Sequence, residues 1–86
     1  MRRSWMYFVY ILKSKNFNRY YIGHTSDWKK RLSEHNTNKV RSTKAYSPWE
    51  IVLLEKYETK SEAFKREMQI KSYKSGEAFK KLLEDN

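Results

Sequence analysis

Three sets of residues in this chain carry chemistry by type and spacing. The first is Glu67. Ala63, Glu67 and Ile70 share one face of a helix that the sequence predicts from Thr59 to about Tyr73, and that face is otherwise apolar. A carboxylate there costs several kcal/mol unless it is paired, metal-bound or at a cleft. Two readings stand: an acid at the edge of the stripe paired with Lys71, four residues on, or a functional carboxylate. The second set is Arg31 and His35, four apart in "DWKKRLSEH" and able to share a helix face. They are either a solvated basic face, with His35 well placed at the helix C-terminal end, or a phosphate clamp. In the second case Arg31 supplies a planar fork, and His35 bonds a phosphate oxygen or a water. The third set is Tyr10 and Tyr21, on two predicted strands. Tyrosines in sheets are usually packing residues with one hydroxyl contact. As bases they need help, because free tyrosine titrates near pH ~10.

Other chemistries are excluded. No cysteine is present, and the two histidines are eleven residues apart, which argues against a zinc site. One carboxylate with open water positions suits Mg2+ or Mn2+ held jointly by protein and phosphate. There is no P-loop, dinucleotide turn or Ser-His-Asp pattern, and two glycines are too few for a phosphate-cradling loop.

Eighty-six residues are read as one domain spanning 1–86, since a second core would not fit. Seven Tyr, four Phe and three Trp must supply the packing that disulfides do not. The absence of cysteine fits a reducing compartment. "MRRSWMYFVYIL" turns from basic to apolar like a crude signal peptide, but no small-residue cleavage site follows, so it reads as a strand. No stretch has the length of a membrane-spanning helix, and a cytoplasmic location is expected. The net charge of +9 is unevenly placed. Residues 1–45 hold eleven Lys or Arg against two acids, whereas residues 46–86 hold eight of each. Such a one-sided excess predicts a polyanion-binding face rather than a generally soluble surface.

These residues need elements to position them. "WMYFVYIL" (5–12) predicts a strand buried on both faces, and "RYYIGH" (19–24) its hairpin partner, ended at Gly23 where backbone freedom or close approach is required. A helix follows from about Asp27 to His35, with Trp28, Leu32 and His35 facing the core. Residues 36–48 form a long basic loop of the kind that is often functional or mobile. "WEIVLLEKYE" (49–58) is a third strand, of undetermined position. Thr59 and Glu62 form a capping box for the next helix, whose stripe is Ala63, Phe64, Met68 and Ile70. A last helix over about 77–84 is expected to bury Ala78, Phe79, Leu82 and Leu83. The order is ββαβαα, an α/β (α+β) class fold with a three-stranded, mainly antiparallel sheet flanked by helices.

In this arrangement the chain resembles the GIY-YIG nuclease superfamily, in particular its small stand-alone members. The first motif reads Phe8-Val9-Tyr10, with Phe and Val in place of Gly and Ile. The second, Tyr21-Ile22-Gly23, matches letter for letter. The helix arginine falls at Arg31, the histidine one turn later at His35, and the acidic metal ligand at Glu67 in "AFKRE". The resemblance covers about residues 5–73, and five features in order make it fairly specific.

The resemblance implies phosphodiester hydrolysis on a single divalent ion, Mg2+ or Mn2+. Water attack would be assisted by Tyr10 or Tyr21, Arg31 would stabilise phosphoryl charge, and Glu67 would hold the metal in a cleft between helix and sheet. Gly23 would let a phosphate approach. The implied activity is that of a structure-selective or weakly sequence-specific endonuclease on DNA more than RNA. The expected nucleic-acid contacts are His24, at the place of a family lysine, with Lys29, Lys30, Lys39, Arg41 and Lys44. These would be phosphate contacts, which position without reading sequence. No attached DNA-binding domain is seen, so a protein partner supplying specificity is expected; a membrane is not. A family asparagine past the acid is missing from "FKKLL", and the only late asparagine is Asn86. The alternative is a catalytically silent nucleic-acid-binding module that keeps the fold. Retention of Tyr10, Tyr21, Arg31 and Glu67 together favours the enzyme, because an acid beside phosphate only weakens a pure binder.

Overall fold

The computed structural model describes residues 6–74 and 76–85; Trp5, read into the first strand, and Asn86 lie outside them. The elements follow the order ββαβαα: β1 (Tyr7–Ser14), β2 (Tyr20–Thr25), α1 (Trp28–Asn36), β3 (Trp49–Tyr57), α2 (Lys60–Lys71) and α3 (Glu77–Glu84). A short 3-10 turn at Lys44–Tyr46 interrupts the long loop. The sheet is antiparallel throughout, with strand order β2-β1-β3. β1 is therefore central, which explains its nearly continuous apolar run: both of its faces are covered.

The alternation of β1 sorts the core into two layers. Val9 and Ile11 face Leu53, Ala63, Ile70 and Phe79, beneath α2 and α3. Tyr10 and Leu12 face the other way, onto Trp49, Tyr21, Leu32 and Ile51, beneath α1. β3 keeps pace through an irregularity opposite Ile11/Leu12, where pairing steps from Leu53 to Ile51. The helix starts are as read: Asp27 Oδ1 accepts from the Lys30 N–H at 3.1 Å, and Thr59 and Glu62 form the reciprocal capping box.

Three details differ from expectation. α2 ends at Lys71, and only Ala63, Glu67 and Ile70 on it are buried; Phe64 and Met68 point outward. On α3, Ala78 is exposed, while Phe79 is buried and Leu82 and Leu83 pack partly. Each of these helices meets one face of a small sheet, so the buried arc is narrower than the apolar stripe in the sequence.

Gly23 does not end β2. It lies within the strand, opposite Tyr10, and its φ is not positive. Its role is space: a Cβ there would sit 2.6 Å from Tyr10 Oη and 2.8 Å from Tyr10 Cζ. The Tyr10 ring thus lies across the bare backbone of its strand neighbour. Gly23→Ala is expected to displace that ring and lower stability by about 1–3 kcal/mol in urea denaturation. A loss below about 0.5 kcal/mol would show that the ring is free to move aside.

Candidate active site

α1 packs across the sheet against β3 and β2 and brings His35 onto Tyr10. His35 is fully buried, as its place in the stripe with Leu32 predicted, and does not lie on a solvated face. Its Nε2 lies 3.2 Å from Tyr10 Oη, and its Nδ1 lies 2.8 Å from Thr43 Oγ1. Thr43, 1% exposed, comes from the long loop and also approaches the Val40 carbonyl at 3.3 Å.

The donors and acceptors select one arrangement of protons. Thr43 Oγ1 gives its proton to the Val40 carbonyl, which can only accept. His35 Nδ1–H therefore donates to Thr43 Oγ1, which leaves Nε2 to accept from the Tyr10 hydroxyl. Every polar side-chain atom of this relay then has a partner. Burial, then repulsion from Arg31, lowers His35 to about 4, so it is neutral at pH 7. Burial pushes Tyr10 up to about 12 against the pull of Arg31. Burial alone would lower Arg31, but hydrogen bonding to Tyr10 and Glu34 raises it. Tyr21 closes the group, its ring centroid 4.8 Å from His35 and 6.3 Å from Tyr10.

The opposite face of β2 carries the acid. His24 alternates with Gly23 and so points towards α2, where its Nδ1 meets Glu67 Oε1 at 2.5 Å. Lys71 Nζ holds Oε2 at 2.6 Å, as the i, i+4 spacing predicted. Glu67 is 7% exposed. β2 is an edge strand, so the two faces communicate around its C-terminal end. There an open cleft of ≈ 360 Å³ is lined by His24, Thr25, Ser26, Asp27, Lys30, Arg31 and Glu34. Tyr10 also feels the charge of Glu67, which places the tyrosine–histidine pair and the acid in one electrostatic neighbourhood.

The donor set decides which metal could be held. Among the described residues no group of three or more His, Cys, Asp or Glu could form a cage. One nearly buried carboxylate beside one imidazole fits a hard divalent ion completed by water and substrate phosphate, and does not fit structural zinc. The two cationic or donating groups now on Glu67 show that its oxygens face a position where positive charge is favoured.

The other expected contacts divide. Lys29 and Lys30 are exposed on the first turn of α1, and Lys30 borders the cleft. Lys39, Arg41 and Lys44 are exposed on the loop beyond the other end of α1, so the basic surface runs the length of that helix. His24 is turned to Glu67 instead of being free for a phosphate. Sequence reasoning missed Thr43 altogether; a threonine in "VRSTKAYSP" carries no periodic or motif signal.

Two measurements follow from the buried chain. Unfolded His35 takes a proton near pH ~6.5, whereas the folded residue refuses one until about pH 4. The unfolded state binds more protons across that window, so stability falls on acidification from about 6.5 to about 4, by up to ~3 kcal/mol from this group. The difference between wild-type and His35→Gln denaturation curves, which cancels shared carboxylates such as Glu55, is expected to show that slope. Thr43→Val is expected to cost about 1–3 kcal/mol by orphaning the buried Nδ1–H, with Thr43→Ser largely restoring it. Equal stabilities for the valine and serine variants would remove the hydrogen bond from the account.

Comparison with known proteins agrees with this geometry. The family model described as the GIY-YIG catalytic domain matches residues 6–80. The UPF0213 protein SERP0126 of Staphylococcus epidermidis is 42% identical over 79 residues, covering 91% of this chain and 95% of that one. The UPF0213 protein lwe0147 of Listeria welshimeri is 39% identical, covering 100% of this chain and 86% of that one. The solution NMR structure of the UPF0213 protein BH0048 from Bacillus halodurans superposes with a TM-score of 0.58 at 28% identity, over 92% of this chain and 83% of that one. With its ββαβαα order, its Tyr10–Gly23 strand pair and a family match over most of its length, the chain belongs to the GIY-YIG family, whose domain is that of a nuclease superfamily.

Proposed function

We propose that this protein is a metal-dependent endonuclease that hydrolyses phosphodiester bonds in DNA, structure-selective or weakly sequence-specific, as a single domain over residues 1–86. One observation carries the reading: the cleft at one end of β2 is lined both by Arg31, on the side of the hydrogen-bonded Tyr10–His35 pair, and by His24, which holds the nearly buried Glu67. The basic face along α1 and its following loop attracts the polyanion and gives contacts to phosphate, with Lys29, Lys30, Lys39, Arg41 and Lys44 as the cations. Arg31, half-buried and always charged, donates to the phosphoryl oxygens as their charge grows.

Tyr10 and His35 handle the proton. With its ordinary pKa raised, Tyr10 is a neutral phenol, not a standing base. It receives a proton from the attacking water as it passes its own to His35 Nε2, while the water oxygen bonds to phosphorus and the bond to the leaving oxygen breaks. His35 is a positioning and proton-holding group behind Tyr10 and does not touch substrate. Tyr21 is the other tyrosine able to orient the water; its ring walls the pair. Glu67, with His24 beside it, would hold Mg2+ or Mn2+, which supplies Lewis-acid stabilisation of the leaving oxygen when bound. Lys71 is the group that must release Glu67 Oε2 for this. A cytoplasmic location and a protein partner that narrows substrate choice belong to the same reading. Among the described residues no helix is long and apolar enough to cross a membrane.

The competing reading, a silent nucleic-acid-binding module, draws on the same Glu67 contacts, since both carboxylate oxygens are already occupied. Glu67→Gln separates the two, because it keeps shape while removing charge. On labelled DNA and RNA substrates with Mg2+, Mn2+ or EDTA, the wild type is expected to cut only with metal. The variant is expected to lose about 100-fold or more while binding as well or better. Salt-dependent binding with no cutting by the wild type in either metal would establish the silent module instead.

A further inference from the structure

One surface of α2 has no part in the core or in the site above. Phe64 is 49% exposed and Met68 40% exposed, one turn apart. Helical periodicity places Lys60, Phe64, Met68 and Lys71 in a single stripe, with Glu67 on its inner edge. The Phe64 ring and the His24 imidazole meet edge to face, with centroids 5.9 Å apart at 81°. His24 in turn holds Glu67. A half-exposed aromatic ring therefore stands one side chain away from the acid. Lys60, one turn before Phe64, borders an open pocket of ≈ 380 Å³ together with Tyr7, His24, Thr25 and Ser26.

Single exposed apolar residues need no explanation, but this pair differs in its setting. Lysines bracket it at both ends, and lysine is depleted from the cores of protein–protein interfaces. A flat apolar ring between cations instead matches a nucleotide, whose base has an apolar face and whose flanking phosphates are anionic. Stacking on a side chain requires a base whose face is uncovered, and in an intact duplex each face is covered by its neighbour.

We propose that Phe64 is a stacking platform for an unpaired or extruded base beside the candidate active site, with Lys60 contacting the adjoining phosphate. The substrate class is then nucleic acid that is single-stranded, bulged or otherwise locally unpaired. This selection rests on the nuclease reading, but its test does not need cutting.

The test is binding in EDTA, by fluorescence anisotropy, of wild type, Phe64→Ala, Phe64→Trp and Lys60→Ala. The probes are a perfect duplex, the same duplex with a central bulge, and one of its strands. The wild type is expected to prefer the bulged and single-stranded probes. Phe64→Ala should weaken those two by roughly 5- to 100-fold, the loss of one base–ring stack, and leave the duplex nearly unchanged. Phe64→Trp should keep the preference, which separates stacking from damage to the fold, and Lys60→Ala should weaken all three probes alike. Equal effects of Phe64→Ala on all probes, no effect on any, or a change only in oligomeric state by sedimentation would overturn the proposal. Cleavage in Mg2+ is read separately. A protein that shows the base preference and cuts nothing keeps this inference and loses the nuclease reading.

Discussion

The arrangement of the site depends on a missing side chain. Tyr10 and Gly23 are directly paired across β1 and β2, and the Tyr10 ring takes the space that any Cβ at position 23 would need. With the ring laid over bare backbone, its hydroxyl reaches the inner face of α1, where Arg31 and His35 lie four residues apart. A larger residue at 23 would lift the ring and separate the phenol from both. The glycine of the second motif is therefore a packing device for the tyrosine of the first. Phosphate approach, the role expected from the resemblance, is not needed to explain it.

The acid is positioned by a separate contact. Arg66, next to Glu67 in sequence but turned away from it around α2, forms a two-point ion pair with Glu55 on β3, at 2.8 and 3.1 Å. Tyr57 donates to the same carboxylate at 2.8 Å. Burial would raise Glu55, but Arg66 and Tyr57 hold it below the usual carboxylate range. This planar pairing resists rotation of the helix about its axis. With Ala63 and Ile70 in the core, rotation is fixed on both sides, and Glu67 is delivered to the β2 edge. The pair is partly buried, and its two-point geometry serves to orient the helix.

Much of this was legible in the sequence, for identifiable reasons. β1 and β3 are long β-branched and aromatic runs, Thr59 and Glu62 announce a helix start, and Asp27 offers a cap, so the elements emerge from local rules. Glu67 stood out because it interrupts an apolar face, and the Lys71 pairing that its i, i+4 spacing suggested is present. What could not be read was which side of each element meets the sheet. Phe64 and Ala78 look like core by periodicity and are exposed, because two short helices share one face of three strands. Thr43 shows the opposite failure. Polar by type, it is buried because it satisfies His35, and pairing between residues eight apart across a loop leaves no periodic trace.

The loop after α1 is better understood as a brace than as a mobile arm. Asn36 bonds both the N–H and the carbonyl of Trp49, at 2.6 and 3.0 Å. The Trp49 indole donates to the Thr43 carbonyl at 2.9 Å, and Ser14 Oγ donates to the Tyr46 carbonyl at 2.6 Å. These bonds hold Thr43 against His35, and His35 against Tyr10. The same loop presents Lys39, Arg41 and Lys44 to solvent. A phosphate backbone drawn to those cations would therefore press on a segment whose inner side fixes the tautomer of His35. One loop thus joins the exposed cations to the Tyr10–His35 pair, through contacts that neither its composition nor its length suggested.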